Sequence, residues 1–188
     1  MQKKKVDLHW VGLIFSATIL ISAGFSFLAS TLMDHVGTAA AFAVLFFIIL
    51  LGIVFDVIGV AVTAAEEKPF HSMAARNVPE AREAIRLIRR AGRVSSFCND
   101  VVGDICGVVA GSASAVIAAR VIVNFRPGAA SVVRLLMSAL AAALTVGGKA
   151  VGKTFAINES TPIVHFAAKV IYHIKSVPKW FGERSVRR

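Results

Sequence analysis

One stretch limits what this chain can become. Ser95 to Ala119, SSFCNDVVGDICGVVAGSASAVIAA, has the length and apolar content of a membrane-spanning helix, yet it carries Asn99, Asp100 and Asp104 near its start. A charge facing hydrocarbon costs several kcal/mol, roughly 2.5–3.5 on insertion scales, so such residues turn toward a partner helix, water or an ion. On an α-helix, residues four apart stack. That places Asn99, Gly103, Gly107, Gly111 and Ala115 in one column and Ser96, Asp100 and Asp104 in the next. One face is therefore both smooth and polar, and it is expected to be the packing and working face of an integral membrane protein.

The rest of the chain supports this class. Its 188 residues amount to about one domain. Hydrophobic residues make up 56% and mean hydropathy is +0.72, too apolar for an ordinary soluble domain of this size. The net charge of +10 lies mostly in segments that flank apolar stretches. That placement fits anionic lipid headgroups rather than a nucleic-acid groove, and no nucleic-acid partner is expected. Cys98 and Cys106 both fall inside the stretch above and read as small buried hydrophobes.

The basic head MQKKK is followed by a charge-free run from Trp10 to Met33, long enough to cross a bilayer and longer than a signal-peptide core. It is expected to be a retained helix. Asp34, His35 and Gly37 make a tight connection to a second span over Val36–Ala65 that carries Asp56, with Gly52 and Gly59 permitting a bend or close packing around it. From Glu66 to Arg93 the composition turns basic. After Pro79, Ala81, Ala84, Ile85 and Ile88 lie on one side of a helix, with Arg82, Glu83, Arg86, Arg89 and Arg90 around the other, as in a helix lying along a membrane surface. Span three ends near Arg120–Pro127, and Ala129–Val146 makes span four, with Arg134 close enough to its start to snorkel. Ile163, Phe166, Ala167, Val170, Ile171 and Ile174 then form the apolar face of a second interfacial helix, and Trp180, Arg187 and Arg188 suit a headgroup anchor.

The basic segments are separated from one another by two spans each time, so they fall on one side. By the positive-inside rule both termini and the amphipathic helix are cytoplasmic, and the expected location is the plasma membrane. The expected fold is an all-α integral membrane protein with about four transmembrane helices and basic amphipathic juxtamembrane helices.

Gly147-Gly148-Lys149-Ala150-Val151-Gly152-Lys153-Thr154 satisfies the phosphate-binding pattern G-x-x-x-x-G-K-[ST] literally. The pattern carries meaning only between a buried strand and a helix, and here it follows an alanine-rich span. No nucleotide site is expected, and no nucleophile paired with a base is visible, so an enzyme is not expected. His35, His71, His165 and His173 have no mutual spacing that defines a metal site.

Four pieces of the chain, in order, resemble the transmembrane domain of the cyclin M (CNNM)/CorC family. Phe55-Asp56-Val57-Ile58-Gly59-Val60-Ala61-Val62-Thr63-Ala64-Ala65 resembles its F-S-A-S-E-T-A-L-x-S-L segment, and Met73-Ala74-Ala75-Arg76-Asn77-Val78-Pro79-Glu80-Ala81 its L-A-E-E-G-N-K-R-A region. Asn99-Asp100-Val101-Val102 resembles G-N-N-L-V, and Gly148 to Thr154 resembles G-E-I-L-P-K-T. The order and approximate spacing hold over residues 38–175.

This resemblance implies a dimeric transport domain for magnesium or another divalent cation, with the ion held among the spans. Asn99 matches the family's asparagine, and Asp56 stands at a small polar serine and supplies a hard oxygen of the kind magnesium prefers. Asp100 and Asp104, with Ser96 and Thr63 as further oxygen donors, complete the expected metal set. Gly59 replaces the family's glutamate, Cys98 its glycine, Gly152 its proline, and Lys149 the glutamate of G-E-I-L-P-K. The family's CBS pair has no counterpart in these residues, so a separate cytoplasmic regulatory partner is expected. Lys149 is expected to act as counter-charge or gate, pairing with Asp56, Asp100 or Asp104. Gly103, Gly107 and Gly111 are expected to pack a neighbouring span or a second copy. The domains expected are 1–35, a basic head with an additional helix; 36–178, the CNNM/CorC-like domain; and 179–188, a basic tail. Two functions follow: binding or moving a cation between spans two and three, or a transport-inactive scaffold or regulatory subunit with an internally salt-bridged ion site.

Overall fold

The first two charge-free stretches become two long helices, α1 (Leu8–His35) and α2 (Thr38–Ala64), joined at Val36 and Gly37. The computed structural model describes residues 8–123 and 130–185, with side chains over 11–33, 35–123 and 130–175. The lysines of the head, the Arg126-Pro127-Gly128 turn and the anchors Trp180, Arg187 and Arg188 lie outside the described side chains. Among the described residues every element is helical.

After α2 come three short helices, α3 (Lys68–Ala75), α4 (Ala81–Arg89) and α5 (Ala91–Ser96). Pro69 sits in the first turn of α3, where its missing N–H costs nothing. Asn77 adopts a left-handed φ of 58°, a conformation asparagine tolerates, and closes α3 with its own N–H on the Ala74 carbonyl and the Val78 N–H on that of Met73.

The third apolar stretch is helical but not uniform. α5 runs into a π-helical turn, Phe97–Gly103, before α6 (Asp104–Ile122) begins. In a π turn each N–H reaches the carbonyl five residues back, so residues four apart no longer stack. The two columns expected from an unbroken α-helix, Asn99 over Gly103 and Asp100 over Asp104, are therefore broken where the polar residues begin.

The fourth stretch is longer than expected. α7 (Ala130–Asn158) continues through residues 147–154, so the phosphate-loop pattern lies inside a helix whose backbone N–H groups are committed to carbonyls one turn back. α8 (Ser160–Ser185) follows after a single residue. Among the described residues four helical segments are long and apolar enough to cross a membrane: Val11–Met33, Thr38–Ala64, Ala91–Ile122 and Ala130–Asn158.

The chain divides into two compact units, one made of residues up to Ile53 with Asp100–Gly148, the other of Val54–Asn99 with Lys149 onward. In the first, α1 packs on α6. The buried side of α6 is Ile105, Cys106, Val109, Ala110, Ala113, Ile117 and Ala118. Gly52 of α2 comes so close to this side that an added β-carbon would lie 2.9 Å from Cys106 Cβ. The Arg120 guanidinium donates to the carbonyls of Val36 at 2.9 Å and Met33 at 2.5 Å, the latter also accepting from the Val36 N–H, and so ties the end of α1 to α6.

In the second unit, Ala61, Val62, Phe70, Ala84, Ala156, Val164 and Ala168 form a core, with Ile85 and Ile88 packed against it. The apolar side of α4, expected to lie along a membrane surface, is packed into this core instead. On α8 the expected apolar face divides. Its buried residues are Val164, Ala167 and Ala168, whereas Phe166, Val170 and Ile174 are exposed. α8 packs on α4, whose buried residues are Ala81 and Ala84, and small side chains on both helices permit a close approach that the bulkier stripe would prevent.

Candidate functional site

The second unit holds a carboxylate that water does not reach. Asp56 is 3% exposed on the part of α2 that enters this unit. A buried charge needs a partner, and α7 supplies Lys149, whose Nζ lies 3.8 Å from Asp56 Oδ1. That distance gives Coulombic attraction but is too long for a hydrogen bond. The other oxygen, Asp56 Oδ2, is buried without a hydrogen-bond partner.

One turn further along α2 is Gly59, and Asn99 is seated against it. An added β-carbon at Gly59 would lie 2.1 Å from Asn99 Oδ1, so the amide occupies the space that any larger residue would need. Asn99 lies in the π turn and its Nδ2 donates to Ser95 Oγ at 3.3 Å. Its Oδ1 is buried and accepts nothing. Asp56 and Gly59, three apart, share a face of α2. The site thus combines one ion pair with two acceptor oxygens that lack donors.

Among the expected residues, the structure brings Asp56 to Lys149 and seats Asn99 on the same face of α2. The remaining expected residues are placed as follows. Thr63 is exposed and its hydroxyl donates to the Val60 carbonyl of its own helix at 2.7 Å. Ser96 is half-buried, and Asp100 and Asp104 are exposed. Gly103 is buried, while a β-carbon at Gly107 or Gly111 would meet nothing within 4 Å. Among the described residues no three His, Cys, Asp or Glu side chains are grouped to hold a metal ion. Magnesium demands near-octahedral oxygen coordination, and one carboxylate already beside an ammonium, with one amide oxygen, does not fit that demand.

Ser95 and Gly59 are the parts that residue types alone did not mark as a site. Gly59 carried a signal, the absence of a side chain in a helix beside a buried acid. Ser95 carried none.

Away from the apolar segments, ion pairs tie the short helices together. Glu67 meets His71 at 3.1 Å and Arg89 at 3.2 Å. Partial desolvation raises the Glu67 carboxyl, but hydrogen bonds from His71 and Arg89 and the attraction of both charges outweigh it, and the net shift is downward. Glu83 accepts from Lys175 at 2.9 Å and from Arg86 at 2.6 Å. The hydrogen bond from Lys175 is the chief cause that holds its carboxyl below the usual range, against some desolvation.

Comparison of the chain with family models, with curated proteins and with solved structures returns no match.

Proposed function

We propose that the chain is a multi-pass integral membrane protein whose buried polar centre is compensated from within, and that it works as a scaffold or regulatory subunit rather than as a cation carrier. The observation that carries this reading is Lys149 beside Asp56. An ammonium on a tether stands 3.8 Å from the one carboxylate buried among the described residues, in the place where a mobile cation would otherwise balance it. Buried charges persist when paired, and a pair of this kind fixes helix positions.

The membrane reading rests on side chains that only an apolar phase suits. Phe15 is 67% exposed, Leu20 and Phe27 74%, Leu135 70% and Val151 74%, spread along α1 and α7. Exposed apolar surface on this scale marks a membrane or protein contact. The basic residues of 68–93 and the lysines of α8 suit anionic headgroups on the cytoplasmic side, with both termini there. The plasma membrane, a homodimer and a cytoplasmic partner extend the reading, and they follow the CNNM/CorC resemblance.

A second reading, cation binding between spans two and three, draws on Asp56 Oδ2 and Asn99 Oδ1, two buried acceptors without donors. Magnesium uptake by liposomes holding the purified chain separates the two. The paired reading expects uptake equal to protein-free liposomes. Uptake above that level, abolished by Asp56→Asn, would overturn it in favour of the cation reading.

A further inference from the structure

We propose that the cavity at the corner of α3 and α4 binds a water-soluble phosphate monoester. The cavity, about 360 Å³, lies between the end of α3, the turn of Asn77, Val78 and Pro79, Arg82 and Arg86 of α4, and Tyr172 of α8. None of these residues belongs to the Asp56–Lys149 centre.

The donors around it are arranged for an anion. Arg82 and Arg86 are four apart, so both guanidinium groups rise from the same side of α4. Glu83 also lines the cavity, but its charge is already met: Arg86 takes Oε1 and Lys175 takes Oε2. Arg82 has no ion pair or hydrogen bond among the described residues, so the wall carries an uncompensated positive charge. A planar guanidinium matches phosphate oxygens in a two-point contact. Tyr172 is half-buried with its ring edge-on to His173, and its hydroxyl has no hydrogen-bond partner among the described residues. Asn77, in its left-handed turn, lines the cavity at the α3 terminus.

The position of Tyr172 separates a soluble ligand from a lipid headgroup. At 100° per residue, Tyr172 lies about 200° around α8 from Val170. The exposed apolar stripe of Phe166, Val170 and Ile174 is thus on the opposite side of α8 from the cavity. An apolar phase that covers that stripe therefore lies across α8 from Tyr172.

The test measures binding of glycerol 3-phosphate to the full-length, detergent-purified chain by calorimetry, with glycerol as the control. Saturable binding of the phosphate and none of glycerol is expected. Arg82→Gln should weaken it at least tenfold and Tyr172→Phe several-fold, whereas Arg90→Gln, at an exposed arginine outside the cavity, should leave it unchanged. The proposal is overturned by an absence of saturable binding, or by equal losses in Arg82→Gln and Arg90→Gln, which would mean diffuse charge attraction. It is also overturned if the chain binds vesicles containing phosphatidic acid, dependent on Arg82, but not the soluble probe.

Discussion

Gly59 and Asn99 occupy one space: a β-carbon on the first would lie 2.1 Å from Oδ1 of the second and 3.1 Å from Cys98 Cβ. Gly59→Ala must therefore push the Asn99 amide off α2, and overpacking of this kind costs about 1–3 kcal/mol. Asn99→Ala should remove most of that penalty. Thermal unfolding of both single variants and the double checks it, and strictly additive losses would mean that the two residues do not compete for space.

Asp56 and Lys149 should behave as a unit. Removing one partner of a buried pair leaves the other charge stranded, at a cost of about 3–5 kcal/mol. Asp56→Asn and Lys149→Met should each lower stability in a denaturing-detergent titration, and the double variant should recover much of the loss. A double variant less stable than either single would remove the pair as the organising contact.

Glu83 makes the docking of α4 on α8 sensitive to acid. Its carboxyl sits lower in the folded chain than in the unfolded one. A lowered carboxylate contributes stability above the unfolded value, about 4.3, and that contribution disappears as pH falls through the folded value. Glu83→Gln should speed amide exchange in α4 and α8 at pH 7 and make progressively less difference as pH is lowered toward 3. Because Lys175 is 58% exposed, the effect at neutral pH should be below about 1 kcal/mol. An equal effect at both pH values would point to packing instead of charge.

Arg120 holds α1 from another helix. Arg120→Met keeps most of the apolar stem and loses both hydrogen bonds to Met33 and Val36. Hydrogen bonds to a charged group contribute about 1.5–3 kcal/mol, so α1 should become the first helix cut by limited proteolysis. Unchanged cleavage at the 33–37 connection would show that apolar packing alone retains it.

The parts legible in the sequence are those that follow from periodicity. The charge-free stretches mark α1 and α2 nearly to the residue, and the spacing of Ala81, Ala84, Ile85 and Ile88 marks the buried face of α4. Lys149 is recognisable as a counter-charge, but three acids competed for it. Only the fold, which brings α7 against α2, shows Asp56 within reach of it. The π turn leaves no compositional trace, because Phe97–Gly103 looks like any apolar helix with polar residues in it, yet it changes which side chains stack. On α8 the expected apolar face is shared, with Ile163 and Ala167 turned to the core and Phe166, Val170 and Ile174 left exposed. Contact with α4 rewards close approach, which Ala167 and Ala168 allow and Phe166 does not.

The contact of Arg120 with α1 also sets an order of events during synthesis. The carbonyl oxygens of Met33 and Val36 are made early, and the side chain that closes them follows 87 and 84 residues later. Until α6 has emerged, the end of α1 lacks this tie, so α1 is fastened only after α2 to α5 have been made. A chain interrupted before Arg120 would keep α1 whole in its own hydrogen bonds but loose from its neighbour, a form that cellular quality control can recognise.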